Sequence, residues 1–250
     1  MTGPVTVTFA GCGDAFGSGG RFQACVHVRA RADDAPVLLD CGATSLTALK
    51  RFGLPPGEIG AVIVSHLHGD HFGGLPFLIL DGQFSRRREP LLIAGPPGTG
   101  RRLTEAMEVL FPGSSTARRA FPVEVTELPP GTTATVAGTE VTTWAADHPS
   151  GAPALILRVT VGGRAVAYTG DTAWTDAIVE AARDTDLLIA EAYYRDKAIP
   201  YHLRLADLVA HRRSIGAGRV ILTHMSADVL DDLPVAGFEI AADGLVVNLE

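Results

Sequence analysis

The sequence predicts an α/β fold of sheets flanked by helices, and three observations carry that expectation. Short apolar runs bounded by Gly, Pro and Asp recur along the whole chain, as buried strands do. Helical patterns fall between and after them, the alternation that puts sheets inside and helices outside. No Pro/Ser-rich linker or low-complexity tract interrupts the 250 residues, so residues 1–250 are expected to form a single domain.

In the first half, strands are expected at residues 5–10, 24–28, 37–39, 61–64 and 91–94. Helices are expected at 45–51, 73–81 and 100–111, the last stopped by Pro112-Gly113. The second half repeats the mixture, with strands at 123–128, 140–144, 154–161, 165–168, 187–190 and 220–223 and helices at 174–183 and 203–214. A last pair of short strands is expected at 238–241 and 245–249.

Composition narrows the function classes. With 46% hydrophobic and 20% charged residues the chain can bury a sizeable core. A net charge of -7 disfavours nucleic acid and anionic membranes, which are held mainly by excess Lys and Arg. Cys12, Cys25 and Cys41 lack metal-ligand spacing such as C-x-x-C and read as reduced, buried thiols. No leader pattern opens the sequence and no apolar stretch approaches a membrane span, so a cytoplasmic location is expected.

The histidines carry the chemistry. His66, His68 and His71 fall within six residues of one another with Asp70 among them, directly after the apolar run Ala61-Val62-Ile63-Val64. That places four ligand-type side chains on the loop leaving a buried strand, where a rigid strand end and a turning loop let donors converge. A polar loop rich in histidine by chance is the alternative, and three remote residues argue against it. His148, Asp171 and His224 each sit just beyond an apolar run of their own. Five imidazoles and two carboxylates suffice for two divalent metal ions, and an all-N/O set admits zinc, manganese or iron.

The run His66-Leu67-His68-Gly69-Asp70-His71, followed by a distant His, Asp and His, resembles the hallmark of the metallo-β-lactamase superfamily. The resemblance implies a four-layer αββα sandwich with the metals at one edge of the sheets. By position it assigns His66, His68 and His148 to one metal, Asp70, His71 and His224 to the other, and Asp171 to the bridge. Asp171 stands where some true β-lactamases have cysteine, which makes antibiotic hydrolysis a weak candidate. The chemistry implied is attack by a metal-bound hydroxide, since two cations lower the pKa of a shared water toward about 7. Asp70 could also steer its proton.

Residues 11–20, Leu39-Asp40-Cys41-Gly42 and residues 66–74 resemble the ribonuclease Z and phosphodiesterase branch. There a histidine near the place of His202 contacts the scissile phosphate, which would make His202 a proton or hydrogen-bond donor, oriented by Glu191. The alternative for His202 is a surface residue capping the helix that follows. Ribonuclease Z carries a tRNA-binding arm between the third histidine motif and the bridging aspartate. Here His148 and Asp171 are only 23 positions apart, which leaves room for two strands and a turn but no arm.

The expectation is therefore a dinuclear hydrolase, with zinc first among the admissible metals, acting on a small phosphodiester rather than on tRNA. The resemblance also suggests a homodimer. Rival readings are a lactone, ester or thioester hydrolase, in which Tyr193 or Tyr194 would assist the oxyanion, and a non-hydrolytic redox or ligand-binding member. His27 and His211 read as structural. Residues 95–102 have P-loop glycines but Arg101 and Arg102 where Lys and Ser/Thr are required, so a helix entrance is expected. Arg86-Arg87-Arg88 and Arg118-Arg119 read as solvated loop charge with a polyanion contact as the rival, and residues 17–21 as either an ordinary turn or a mobile loop near the metals.

Overall fold

The computed structural model describes residues 4–31 and 33–250. Fourteen strands divide into two seven-stranded sheets whose order follows the chain closely. The first holds β1 (Val5–Gly11), β2 (Cys25–Arg29), β3 (Val37–Leu39), β4 (Ala61–Ile63), β5 (Leu91–Gly95) and β6 (Val123–Glu127), with β14 (Val246–Leu249) returning to pair with β1. The second runs from β7 (Thr133–Val136) through β8 (Thr139–Ala146), β9 (Ala154–Val161), β10 (Arg164–Tyr168) and β11 (Leu187–Glu191) to β12 (Arg219–Thr223) and β13 (Glu239–Ile240).

Each sheet begins antiparallel and becomes parallel from its third or fourth strand onward, β3 to β6 in one and β10 to β13 in the other. Parallel strands need crossovers, and these supply helices for the outer faces. On the first sheet lie α1 (Ser45–Arg51), α2 (Gly69–Phe72), α3 (Leu75–Phe84) and α4 (Thr99–Leu110). On the second lie α5 (Ala177–Ala182), α6 (Leu205–His211) and α7 (Ala227–Leu230). Among the described residues no helix is long and apolar enough to cross a membrane.

Period-two alternation sorts the strand residues into three apolar layers. Ala61 and Ile63 of β4 meet Leu187 and Ile189 of β11 between the sheets, while Val62 and Val64 pack outward with Leu75, Leu78 and Ile79 of α3. Leu188 and Ala190 turn the other way, toward Ile178 of α5 and Leu208 of α6. The result is the αββα sandwich expected.

Beyond shifts of a few residues at element ends, as where the helix expected at 174–183 spans Ala177–Ala182, the structure differs from expectation at these points. Strand β7 is an edge strand whose Thr133 and Thr135 are exposed, so it carries little apolar pattern. Helices α2 and α7 are single turns, too short to show periodicity. The expected helix from residue 203 begins at Leu205, because the Leu203 carbonyl accepts a bond from Tyr193 N and its N–H goes to Glu191. The histidine run is not all loop, since Asp70 and His71 lie on α2. Cys12, Cys25 and Cys41 are free and buried.

Candidate metal centre

The parallel strands deliver their carboxyl ends to one edge of the sandwich, the usual place for ligands in parallel sheets. His66 and His68 follow β4, His148 follows β8, Asp171 follows β10, and His224 follows β12. All seven expected metal residues converge there in two groups, His66, His68 and His148 in one and Asp70, His71, Asp171 and His224 in the other.

In the second group, His71 Nε2 lies 3.2 Å from Asp70 Oδ2, 3.3 Å from His224 Nε2 and 3.2 Å from Asp171 Oδ1. His224 Nε2 is 3.2 Å from Asp70 Oδ2 and 3.5 Å from Asp171 Oδ1. These five separations match the edges of a tetrahedron, since four donors about 2.0–2.1 Å from a divalent cation sit about 3.3 Å apart. In the first group, His148 Nε2 is 3.0 Å from His68 Nδ1. Asp171 turns its other oxygen that way, with Oδ2 at 3.9 Å from His66 Nε2 and 4.0 Å from His148 Nε2. Its two oxygens thus face different groups, an orientation that lets one carboxylate serve both.

Hydrogen bonding shows that these atoms are acceptors facing acceptors. The Nδ1 of His71 lies 2.7 Å from Asp40 Oδ2, and a carboxylate can only accept, so Nδ1 donates and in the neutral ring Nε2 presents a lone pair. His148 Nδ1 likewise donates to the Tyr201 carbonyl at 2.9 Å. Among the described residues, His66 Nε2 and Asp171 Oδ1 are buried with no hydrogen-bond partner at all. Lone pairs pressed together out of water need a cation between them, and the donor set fits divalent metal ions.

The electrostatics show the same surplus of negative charge from the other side, since without a cation it is protons on the imidazoles that would offset it. Burial opposes charge on His71, yet the carboxylates of Asp171, Asp70 and Asp40 raise its pKa well above the ordinary imidazole value. His224 is raised to about 10 against burial by Asp171 and Asp70. Burial alone would raise Asp70 and Asp171, but the imidazoles around them hold both well below the usual carboxylate range. Burial, then neighbouring imidazoles, push His66 well down.

Behind the donors lies a supporting shell that the sequence reading missed. Asp40, fully buried, accepts from Ser65 N at 2.7 Å, Ser65 Oγ at 2.8 Å, His71 Nδ1 at 2.7 Å and Tyr168 Oη at 2.8 Å. The motif Leu39-Asp40-Cys41-Gly42 was the available signal. Gly42 is needed because a Cβ there would lie 2.1 Å from the Asp70 carbonyl oxygen. Asp40, Tyr201 and His224 all have φ between 53° and 69°, while Arg86, Ala137 and Asp184 share that left-handed backbone away from the donors.

His202 stands beside the cluster. Its Nδ1 lies 2.5 Å from Glu191 Oε1, and its ring packs 5.0 Å from His148 and 6.3 Å from His224 between centroids. Glu191 is fully buried and its Oε2 accepts from Thr172 N and Leu203 N. Against the pull of burial, that carboxylate raises the His202 pKa. His202 therefore does not cap the following helix, whose N-cap is Arg204. Tyr193 stacks on His202 at 4.7 Å, whereas the Tyr194 ring takes the Lys197 ammonium.

Other sequence features lie elsewhere. Arg87 is buried and binds the Glu89, Ile59 and Pro90 carbonyls, and Arg119 binds that of Ser114, so neither is a polyanion contact. Residues 95–102 form the entrance to α4, with Gly98 as N-cap. The turn at residues 17–21 adjoins the site: Asp14 caps it through Ser18 N and Oγ, and Cys12 O accepts from His224 N.

A family model described as a Beta-lactamase superfamily domain matches residues 36–225. The chain is similar to ribonuclease Z of Methanosarcina acetivorans at 27% identity, over 91% of this chain and 89% of the relative. That alignment spans 279 residues against the 250 present here, so the relative carries insertions that this chain lacks. Among solved structures, human tRNase Z, short form, has a TM-score of 0.78 at 26% identity, covering 98% of this chain and 99% of that one. A diphosphatase from the PhnP family has 0.77 at 22% identity, covering 98% of each chain.

Proposed function

The chain belongs to the β-lactamase superfamily and is a metal-dependent hydrolase, and from that premise we propose that it cleaves a small phosphodiester at a site for two zinc ions. His66, His68 and His148 would hold one, Asp70, His71 and His224 the other, with Asp171 between them. Zinc is placed first because the second group's donors stand about as far apart as four ligands of a tetrahedral zinc ion do, whereas the all-N/O set by itself also admits manganese or iron. When bound, such a pair supplies a water acidic enough to be a nucleophile near neutral pH and positive charge for the phosphoryl oxygens.

The protein's own groups would do the rest. Asp70 would hold the second cation through Oδ2, between His71 and His224, which leaves its other oxygen to orient the proton of the attacking water. His202, with Nδ1 committed to Glu191, is left with Nε2 to donate to a phosphoryl or leaving oxygen. The observation that carries the phosphodiester reading is this imidazole: it lies outside the two groups assigned to the cations, although with Asp171, Glu191 and His224 it makes a third set of donors close enough to hold one, and a buried carboxylate favours its charged, donating form.

Small size is supported by the interval between His148 and Asp171, which β9, β10 and their turn fill. The insertions of the ribonuclease Z relative point the same way. Pairing of β14 with β1 ties both ends of the chain into one sheet, in keeping with a single domain.

A panel of bis(p-nitrophenyl) phosphate, a lactone and a thioester, run with metal analysis, tests the proposal. Phosphodiester cleavage is expected, lowered by about 10²–10⁴ in His202→Ala with metal retained. His68→Ala should lose both metal and activity. Tyr193 beside His202 makes carboxylic esters the alternative substrates, and turnover of lactones alone would overturn the proposal.

A further inference from the structure

Alternate residues of β1 and β2 face outward from the first sheet. The apolar ones, Ala10 and Cys25, pack with Ala48 and Leu49 of α1. Farther along the same faces the pattern changes. Thr8 stands opposite His27 and Thr6 opposite Arg29, and none of the four belongs to any of the three apolar layers. Over them opens a cavity of about 530 Å³, which Arg31 and Leu54 help to wall.

A sheet face that simply met water would keep its polar groups exposed. Here Thr8 is only 6% and His27 only 4% exposed. Among the described residues the buried Nδ1 of His27 and the buried Nε of Arg29 have no hydrogen-bond partner, and only its own backbone comes near the imidazole. Buried polar groups left unpaired are destabilising, so two of them on residues that line one cavity call for a ligand that pairs with them.

The charges and donors say which kind. Arg29 is ion-paired through Nη2 with Glu58, so the exposed Arg31 supplies the surplus charge, and among the described residues that line the cavity there is no acid. Arg29 Nε and the Thr8 hydroxyl can donate, whereas Thr6 is engaged with Asn248. Burial, then the Arg29 charge, keep His27 neutral near pH 7, so the ring adds a single N–H. Such a wall suits a small group with accepting oxygens and negative charge.

The cavity is not part of the metal centre. Strand β2 runs antiparallel to β3, which delivers Asp40 to the metal edge, so the chain at Arg29 and Arg31 lies toward the opposite end of the sheet.

We propose that this cavity is a binding site for a small oxyanion, a carboxylate or a phosphate, held over Thr8 and His27 between Arg29 and Arg31. The site stands whether or not the phosphodiester reading does, since it shares no residue with the metal centre.

The test is the His27 ring resonance in NMR spectra of the metal-loaded protein, identified by its loss in His27→Gln. Acetate, inorganic phosphate and chloride are titrated separately at constant pH and ionic strength. A saturable shift of His27 is expected with acetate, with phosphate or with both, and which of them acts identifies the ligand as carboxylate, phosphate or either. Phosphate can also meet the metal centre, which is why His27 is read and not a global signal. Arg31→Gln, at an exposed position, should weaken the anion at least about tenfold with metal content unchanged, and Thr8→Val should weaken it as well. Absence of a saturable His27 shift would overturn the site. So would an equal shift with chloride, or undiminished affinity in both variants.

Discussion

Replacing Asp40 by asparagine keeps the size of the side chain and removes its charge, which isolates the support that it gives His71. The carboxylate receives Ser65 N on Oδ1 and, on Oδ2, Ser65 Oγ, His71 Nδ1 and Tyr168 Oη. An amide has one accepting oxygen. If that oxygen takes the Oδ2 position, the new NH2 faces the Ser65 N–H from 2.7 Å, donor against donor; flipped, it faces His71 and Tyr168 instead. Either way at least one buried donor is left unpaired, at about 1–3 kcal/mol, and the bond to His71 drops from charge-assisted to neutral, about 1 kcal/mol more.

The expected loss is therefore about 2–4 kcal/mol in chelated protein, read from urea unfolding. A second loss should appear only with metal. Outer-shell partners of ligating histidines are worth about 10–100-fold in metal affinity. In metal excess a tenfold weaker affinity removes a further 1.4 kcal/mol or so by linkage. Equal destabilisation with and without metal would refute the claim that Asp40 acts through His71. No destabilisation in either condition would refute the hydrogen-bond account itself.

Three further outcomes are expected. His27 is buried on β2, where burial, then the Arg29 charge, push its pKa down to about 4, so the unfolded chain takes up the proton first. Stability should fall as pH drops from about 6.5 toward 4, by at most about 3 kcal/mol, and level off below; His27→Gln in chelator should show a shallower slope, and an identical one would sink the assignment. Arg87→Leu strips the Glu89, Ile59 and Pro90 carbonyls of a buried donor and should cost about 2–4 kcal/mol in urea unfolding, leaving metal content unchanged. Gly42→Ala should lower metal affinity more than tenfold by displacing the Asp70 backbone, measured by competition with a chromogenic chelator, because its Cβ would stand 2.1 Å from the Asp70 oxygen.

The donors were legible in the sequence because each is a side chain with a chemical identity, placed just past an apolar run that marks a strand end. His148, Asp171 and His224 could be read that way although as many as 158 positions separate them from His66. What supports them was not legible, because it is largely backbone. The Tyr201 carbonyl on His148 and the Cys12 carbonyl on His224 N are groups that every residue carries. Asp40 was visible as a letter in a motif but not as an acceptor of four bonds. Strand β7 and the one-turn helices α2 and α7 escaped for a different reason: an exposed edge strand buries too little, and a four-residue helix is too short, to leave a pattern.

The same distinction separates the two halves of the functional argument. A metal cluster constrains its donors to a few atoms at fixed separations, so a single run of histidines already narrows the chemistry to a short list. A substrate pocket imposes no such spacing. Trp174 and His211 stand 37 positions apart on the chain, and neither is unusual where it occurs; only the structure shows them stacked beside the cavity that His202 lines. Left-handed backbone does not by itself mark a site, since exposed Arg86, Ala137 and Asp184 adopt it as well. At Asp40 and His224 it carries weight because it coincides with independent chemistry, a buried carboxylate that orients His71 and an imidazole that faces Asp70 and Asp171.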